Sequence, residues 1–230
     1  MSGESYWIVL GDIHEDMARL ESIPEYPKAE GVLVTGDITL ARGSTRAAQT
    51  LSPLLGSGKG LMVAPGNMDR PEVADWLDGQ GIGLHRKVRA FPSGGYCLGL
   101  GFSTPTPFGT PGEYPEATFA RWLAETMASQ PALQDTDTDW IFSSHTPPKG
   151  TACDRLRDGT HVGSEAVRAF IEQYQPAICF CGHIHESVAE DRIGKTRVLN
   201  PGTLFEGGYA LLHLAQENGR THFDATLKRL

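Results

Sequence analysis

Three short apolar runs, each closed by a glycine and then by a side chain with an oxygen to offer, set the terms for this chain. Tyr6 to Leu10 ends in Gly11-Asp12, Gly31 to Thr35 ends in Gly36-Asp37, and Leu61 to Ala64 passes through Pro65 into Gly66-Asn67. Apolar runs of four or five residues bounded by turn formers read as strands. Between them, Ser44 to Leu55 reads as a helix with Ser44 as its N-cap, Glu15 to Ser22 has helical character, and Arg70 to Asp78 follows as a helix with Pro71 at an early, tolerated position. Strand, helix, strand, helix, strand predicts parallel pairing through right-handed crossovers. Asp12, Asp37 and Asn67 then arrive together at the carboxyl ends of the strands, where open α/β sheets hold their ligands.

Beyond Lys87 the pattern changes. Val88 to Phe91 and Tyr96 to Gly101 read as two strands about the turn Pro92-Ser93-Gly94-Gly95, so the sheet is expected to become mixed. Thr104 to Gly112 is too rich in Pro and Gly for regular structure and is expected to rim a site. Glu116 to Met127 and Ser164 to Tyr174 read as helices, Asp139 to Ser143 and Ala177 to Cys181 as strands. The tail reads as short antiparallel strands: Ser187 to Ile193, Thr196 to Leu199, Tyr209 to Leu214 and His222 to Lys228. No linker or low-complexity segment divides the chain, and the expectation is one domain over residues 1–230.

Charge and cysteine content narrow the function. With 28 acidic against 20 basic residues the net charge is −8, which argues against a surface built for nucleic-acid backbone. An anionic small molecule remains compatible if metal ions supply the local positive charge. Cys97, Cys153, Cys179 and Cys181 are too sparse for a secreted disulfide framework. No run reaches the length of a membrane-spanning helix, and Met1-Ser2-Gly3-Glu4-Ser5 has no basic region. A cytoplasmic protein without a membrane anchor is expected; its oligomeric state is open.

The later strands deliver histidines as the early ones deliver oxygens. His145 follows Ile141-Phe142-Ser143-Ser144, and Gly182-His183-Ile184-His185 follows the strand ending at Cys181; with His14, seven ligand-type residues each follow an apolar strand. Two Asp, one Asn and four His exceed what one ion accepts, and suit two ions sharing a carboxylate. Two ions roughly 3.5–4 Å apart form a clamp for in-line displacement at phosphorus. Mixed imidazole and carboxylate donors select Mn, Fe, Zn, Ni or Co over Ca or Mg. A rival Cys₂His₂ zinc site from Cys179, Cys181, His183 and His185 would need four ligands spread along one strand to close a tetrahedron, and buried strand cysteines are the simpler reading.

In order along the chain, Asp12-Ile13-His14, Gly36-Asp37, Gly66-Asn67-Met68-Asp69, His145 and Gly182-His183-Ile184-His185 resemble the calcineurin-like metallophosphoesterases. The resemblance runs from Asp12 to His185. It implies a four-layer α/β/β/α sandwich with two mixed sheets and a dinuclear centre between their loops. It further implies one metal on Asp12, His14, Asp37 and His185 and a second on Asp37, Asn67, His145 and His183, with Asp37 bridging. Asp37, Asn67 and His145 are the residues it places closest to the chemistry. The implied activity is phosphoester hydrolysis by a hydroxide between two divalent transition metal ions, Mn favoured, with phosphodiesters ahead of monoesters. Nucleotidase or other monoesterase activity on the same residues, and a non-catalytic protein-binding role like that of the retromer subunit of this fold, are the alternatives.

One position departs from the family. Its asparagine motif usually continues with a His thought to protonate the leaving group, and here Met68 stands there. A thioether has no proton to give, so esters with good leaving groups are the expected substrates. Asp16 and Asp69 are candidates for orienting ligand imidazoles, Asp69 being read rather as a cap for the helix beginning at Arg70. His161, Asp154, Arg155 and Arg157 read as a solvated loop.

Overall fold

The computed structural model describes residues 5–134 and 138–230. Residues 1–4, within the opening segment considered above, lie outside them. Among the described residues, eleven strands form two sheets. The first has the order β11-β10-β1-β2-β3, with β1 at Ser5–Leu10, β2 at Gly31–Val34, β3 at Gly60–Val63, β10 at Gly208–Glu217 and β11 at Arg220–Arg229. The second has the order β4-β5-β6-β7-β9-β8, with β4 at Lys87–Ala90, β5 at Tyr96–Leu100, β6 at Trp140–Ser144, β7 at Ile178–Phe180, β8 at Ala189–Ile193 and β9 at Thr196–Asn200.

Strand alternation explains why both sheets are covered twice. In β1, Ile8 and Leu10 face a core shared with Leu51 and Leu54 of helix α1 (Ser44–Leu55) and Val73 and Leu77 of α2 (Glu72–Gly79). Trp7 and Val9, one residue out of step, face the opposite way into a core with Ile141, Phe180 and Leu199 of the second sheet. That sheet presents Leu98, Phe142 and Cys179 outward to Phe119 and Trp122 of α3 (Glu116–Ala128) and Val167 and Phe170 of α4 (Glu165–Tyr174). The result is a four-layer α/β/β/α sandwich. Both faces of the central strands are buried, hence their continuous apolar runs.

Several expectations shift. The parallel order β1-β2-β3 stands, but the change of character at Lys87 opens a second sheet instead of mixing the first, with β4 antiparallel to β5 and β5-β6-β7 parallel. The tail is not one antiparallel set. β8 and β9 form a hairpin whose β9 also runs parallel to β7, whereas β10 returns antiparallel to β1 in the first sheet. β10 and β11 are joined at Asn218-Gly219, both at positive φ (52° and 79°), the turn that suits strand twist. Glu15 to Ser22 holds only a 3-10 turn at Leu20–Ser22. His14 and Glu15 sit at φ 47° and 65°, and Glu15 is occupied by Leu40 N and Arg46, so no helix can start there. Ser44 is the first helical residue of α1, behind Gly43, and caps nothing; Ser164 does cap α4, accepting from Val167 N at 3.1 Å. No helix among the described residues is long and apolar enough to cross a membrane.

Candidate metal centre

All seven candidate ligands lie in loops that leave the sheets: Asp12 and His14 after β1, Asp37 after β2, Asn67 after β3, His145 after β6, His183 and His185 after β7. Four of them, Asp12, His14, Asp37 and His183, have left-handed backbone with φ between 44° and 68°. Asp and His enter that region more readily than most residues, yet each instance costs free energy and persists only where the surroundings over-determine it. Here the loops hold one another. His14 N donates to Asp37 O at 2.8 Å, His183 N to Asp12 Oδ1 at 3.0 Å, and Met68 N to Asp37 Oδ1 at 2.8 Å.

The glycine in the repeated motif follows from this closeness. A Cβ on Gly66 would overlap the carboxylate and backbone nitrogen of Asp37. Gly36, at φ 142°, lies beneath the His145 ring, which a Cβ would strike. Only glycine lets the loops approach so closely.

Four of the seven come together as one candidate ligand set. Donor atoms of Asp12, His14, Asp37 and His185 lie within 4.8 Å of one another. His14 Nε2 is 3.1 Å from His185 Nε2 and 3.6 Å from Asp37 Oδ2, and His185 Nε2 is 3.5 Å from Asp12 Oδ1. Bonds of about 2.1 Å to one tetrahedral ion would set donors about 3.4 Å apart, so these spacings fit a single cation. A second group forms on the other oxygen of Asp37: His145 Nε2 lies 3.4 Å from Asp37 Oδ1 and 2.9 Å from Asn67 Oδ1. His183 stacks edge-on against His145, ring centroids 5.2 Å apart. Cys179 and Cys181 are buried, their thiols directed at backbone carbonyls, and they join no ligand set among the described residues.

The site's electrostatics are set by burial and by the nearness of its carboxylates to its imidazoles. Burial, with the charges of Asp12 and Asp69, pushes the Asp37 carboxyl well above the usual range. Asp12 is drawn down to about 2: burial opposes this, but the His185 hydrogen bond and the neighbouring imidazoles prevail. Burial lowers His145 to about 3 and His183 to about 4, against the pull of Asp12. Neutral His145 and His183 suit a divalent cation, whereas the Asp12 hydrogen bond raises His185 and burial raises Asp37, so a cation would compete with protons at those two groups.

Three supports escaped the sequence. Asp69 caps no helix and orients no imidazole, because α2 begins at Glu72. Its carboxylate accepts from Ile38 N, Thr39 N, Thr39 Oγ1 and Gly66 N at 2.8–3.0 Å, tying the Asp37 loop to the Asn67 loop. Asn67 Nδ2 donates to Thr110 Oγ1, which donates in turn to Glu113 Oε1. The spacing Thr110-Pro111-Gly112-Glu113 is that of a capping box and could have signalled the contact. Asp16, in contrast, closes a local turn through Ala18 N. Asp154 staples its loop through Gly150 N, Thr151 N, Gly163 N and His161 Nδ1, while Arg157 pairs with Glu186. A cleft of about 460 Å³ beside Trp140, Tyr174 and Lys195 borders none of the seven.

The family profile described as metallophosphoesterase, calcineurin superfamily, matches residues 118–222, which include His145, His183 and His185. An uncharacterized protein of Methanocaldococcus jannaschii is 36% identical over 177 residues, covering 75% of this chain and 77% of its own. The chain belongs to the calcineurin superfamily of metallophosphoesterases. Among solved structures, this metallophosphoesterase resembles a Thermus thermophilus protein with a TM-score of 0.65 at 18% identity, over 96% of this chain and 98% of that one. It also resembles a dimetal phosphatase of Danio rerio with a TM-score of 0.56 at 12% identity, over 98% of each chain. At such identities the likeness is one of fold.

Proposed function

We propose that this metallophosphoesterase is a metal-dependent hydrolase of phosphodiesters or activated phosphate esters. Asp12, His14, Asp37 and His185 hold one divalent transition metal ion, and Asp37, Asn67, His145 and His183 a second, with Mn the favoured metal. The observation that carries this reading is the orientation of Asp37, whose Oδ2 faces His14 and whose Oδ1 faces His145, at 3.6 and 3.4 Å from their Nε2 atoms. A buried carboxylate with one oxygen toward each imidazole group is placed to bridge. Family membership and the fold shared with a dimetal phosphatase support the same reading.

Two ions bound there would supply an activated water and neutralise charge developing on the phosphoryl oxygens. The chain's own residues prepare that site. His145 and His183 stay neutral at pH 7, so each has a ring nitrogen it can offer to a cation. The Thr110 contact on Asn67 Nδ2 presents the amide oxygen inward. Asp69 fixes the spacing of the two loops that carry Asp37 and Asn67. Met68 supplies no proton, so the departing oxygen is protonated by water, and esters whose alcohols are acidic are hydrolysed best.

Metal analysis of the purified protein, joined to a panel of aryl and alkyl phosphodiesters, phosphomonoesters and nucleotides, tests this. The expected result is bound transition metal and Mn-stimulated hydrolysis with aryl diesters foremost. A preference for monoesters would move the assignment to a phosphatase or nucleotidase. No retained metal and no hydrolysis with added Mn would favour a non-catalytic, protein-binding role.

A further inference from the structure

Two cavities border the candidate metal centre, and they differ in character. One, about 290 Å³, is walled by Thr104, Pro105, Pro107, Phe108, Leu156, Val162 and His183. It is where the Pro/Gly-rich segment after β5 meets the loop after β6, and among the described residues its one titratable side chain is the imidazole of His183. The other, about 330 Å³, borders His14 and His185 and adds Asp16, Glu206 and Phe205. Each is near the lower end of the ~300–1,000 Å³ of small-molecule sites, room for one substituent and not for a whole large ligand.

We infer that the cavity beside His183 binds an uncharged ring-bearing substituent of the phosphate ester, making the substrate an asymmetric diester with an apolar arm. This rests on the assignment of the seven residues to a metal centre. His183 is at once a wall of the cavity and a member of that centre, so a phosphoryl group at the metals would have the cavity beside it. Phe108, 84% exposed, is a large aromatic left without cover on the rim. The wall is built in advance: Glu113 accepts from Thr106 N, Thr106 Oγ1, Thr110 N and Thr110 Oγ1 at 2.6–3.1 Å. Thr110 also orients Asn67, so one carboxylate fixes both the cavity wall and a ligand. The absence of Lys and Arg from the lining disfavours a polyphosphate arm. The second cavity also carries an exposed aromatic, Phe205, but the carboxylates of Asp16 and Glu206 on its rim suit hydroxyl or ammonium groups.

The test uses the full chain loaded with Mn and reads binding by calorimetry, with phenylphosphonate and methylphosphonate as probes. Phenylphosphonate is expected to bind roughly tenfold tighter or more, from burial of the ring. That ratio is expected to fall toward one in Val162→Glu, which puts a charge into the cavity, and to shrink in Phe108→Ala, whose exposed side chain can be removed without disturbing the fold. Equal affinities in the wild type overturn the inference while leaving the metallophosphoesterase assignment intact. Mn bound but neither phosphonate bound, with no ester turned over, overturns both.

Discussion

Asn67 donates its amide N–H to Thr110 Oγ1 at 2.9 Å, and this fixes which end of the amide faces the histidines. With the nitrogen committed outward, the oxygen is left 2.9 Å from His145 Nε2. Thr110→Val removes the acceptor and frees the amide to rotate. Affinity for the second Mn is expected to fall by about 10–100-fold, the usual scale for losing such an outer partner, while the Asp12 set is unaffected. Titration of metal-stripped protein, followed by calorimetry, would show one of two binding steps weakened; two unchanged steps would count against the assignment of Asn67.

Asp37→Ala is expected to abolish turnover, by at least about 10³-fold given the charge stabilisation metal ions provide, without unfolding the protein. Burial and the charges of Asp12 and Asp69 already oppose an ionised Asp37 in the absence of metal. Thermal melts of metal-free wild type and variant should therefore lie close together, although the variant leaves Met68 N without its acceptor. Retained activity would refute the bridging role.

Met68→His restores an imidazole where the family usually has one. The wild type is expected to lose rate steeply as the leaving-group pKa rises across a series of aryl and alkyl phosphodiesters, and the variant to show a shallower dependence, gaining up to about 10²-fold on alkyl esters. Equal slopes would mean that another group already protonates the leaving oxygen.

His85 is expected to make the fold acid-sensitive away from the candidate metal centre. Its ring packs edge-on between Phe102 and Trp122, and its Nδ1 accepts from Gly101 N at 3.0 Å. Burial, helped by Arg86 and Lys87, holds it at about 3 against its usual 6.5. Between those values the unfolded chain binds a proton that the folded chain refuses, so this contribution is complete above pH 6.5 and is lost as pH falls toward 3. His85→Gln, whose Oε1 can accept the same N–H, should flatten the fall in melting temperature between about pH 7 and 5. An identical profile would assign the sensitivity elsewhere.

What was legible in the sequence shares one property. Asp12, Asp37, Asn67, His145, His183 and His185 each follow an apolar run that must be a buried strand, so parallel pairing gathers the first three at the edge of one sheet and the histidines at the edge of the other. What was not legible depends on contacts between distant loops. The Glu15 segment reads as helix by composition, but its backbone is turned by His14 against Asp37. Asp69 precedes a helix and looks like its cap, yet its four donors come from Ile38, Thr39 and Gly66. The two sheets were legible only through the family resemblance of the motifs, because strand pattern alone records which faces are buried and not which sheet buries them.

The division of ligands between the sheets has a mechanical consequence. Asp12, His14, Asp37 and Asn67 hang from the first sheet, His145, His183 and His185 from the second, and the sheets meet chiefly through apolar packing around Trp7, Ile141 and Phe180. Polar links such as Arg197 to Asp224 join strands β9 and β11. An ion shared by His185 and Asp12, or by His145 and Asp37, would be a cross-link that rivets one half of the sandwich to the other. Metal content would then set how readily the halves part, so hydrogen exchange in β1 and β7 would report metal loading as directly as any assay of turnover.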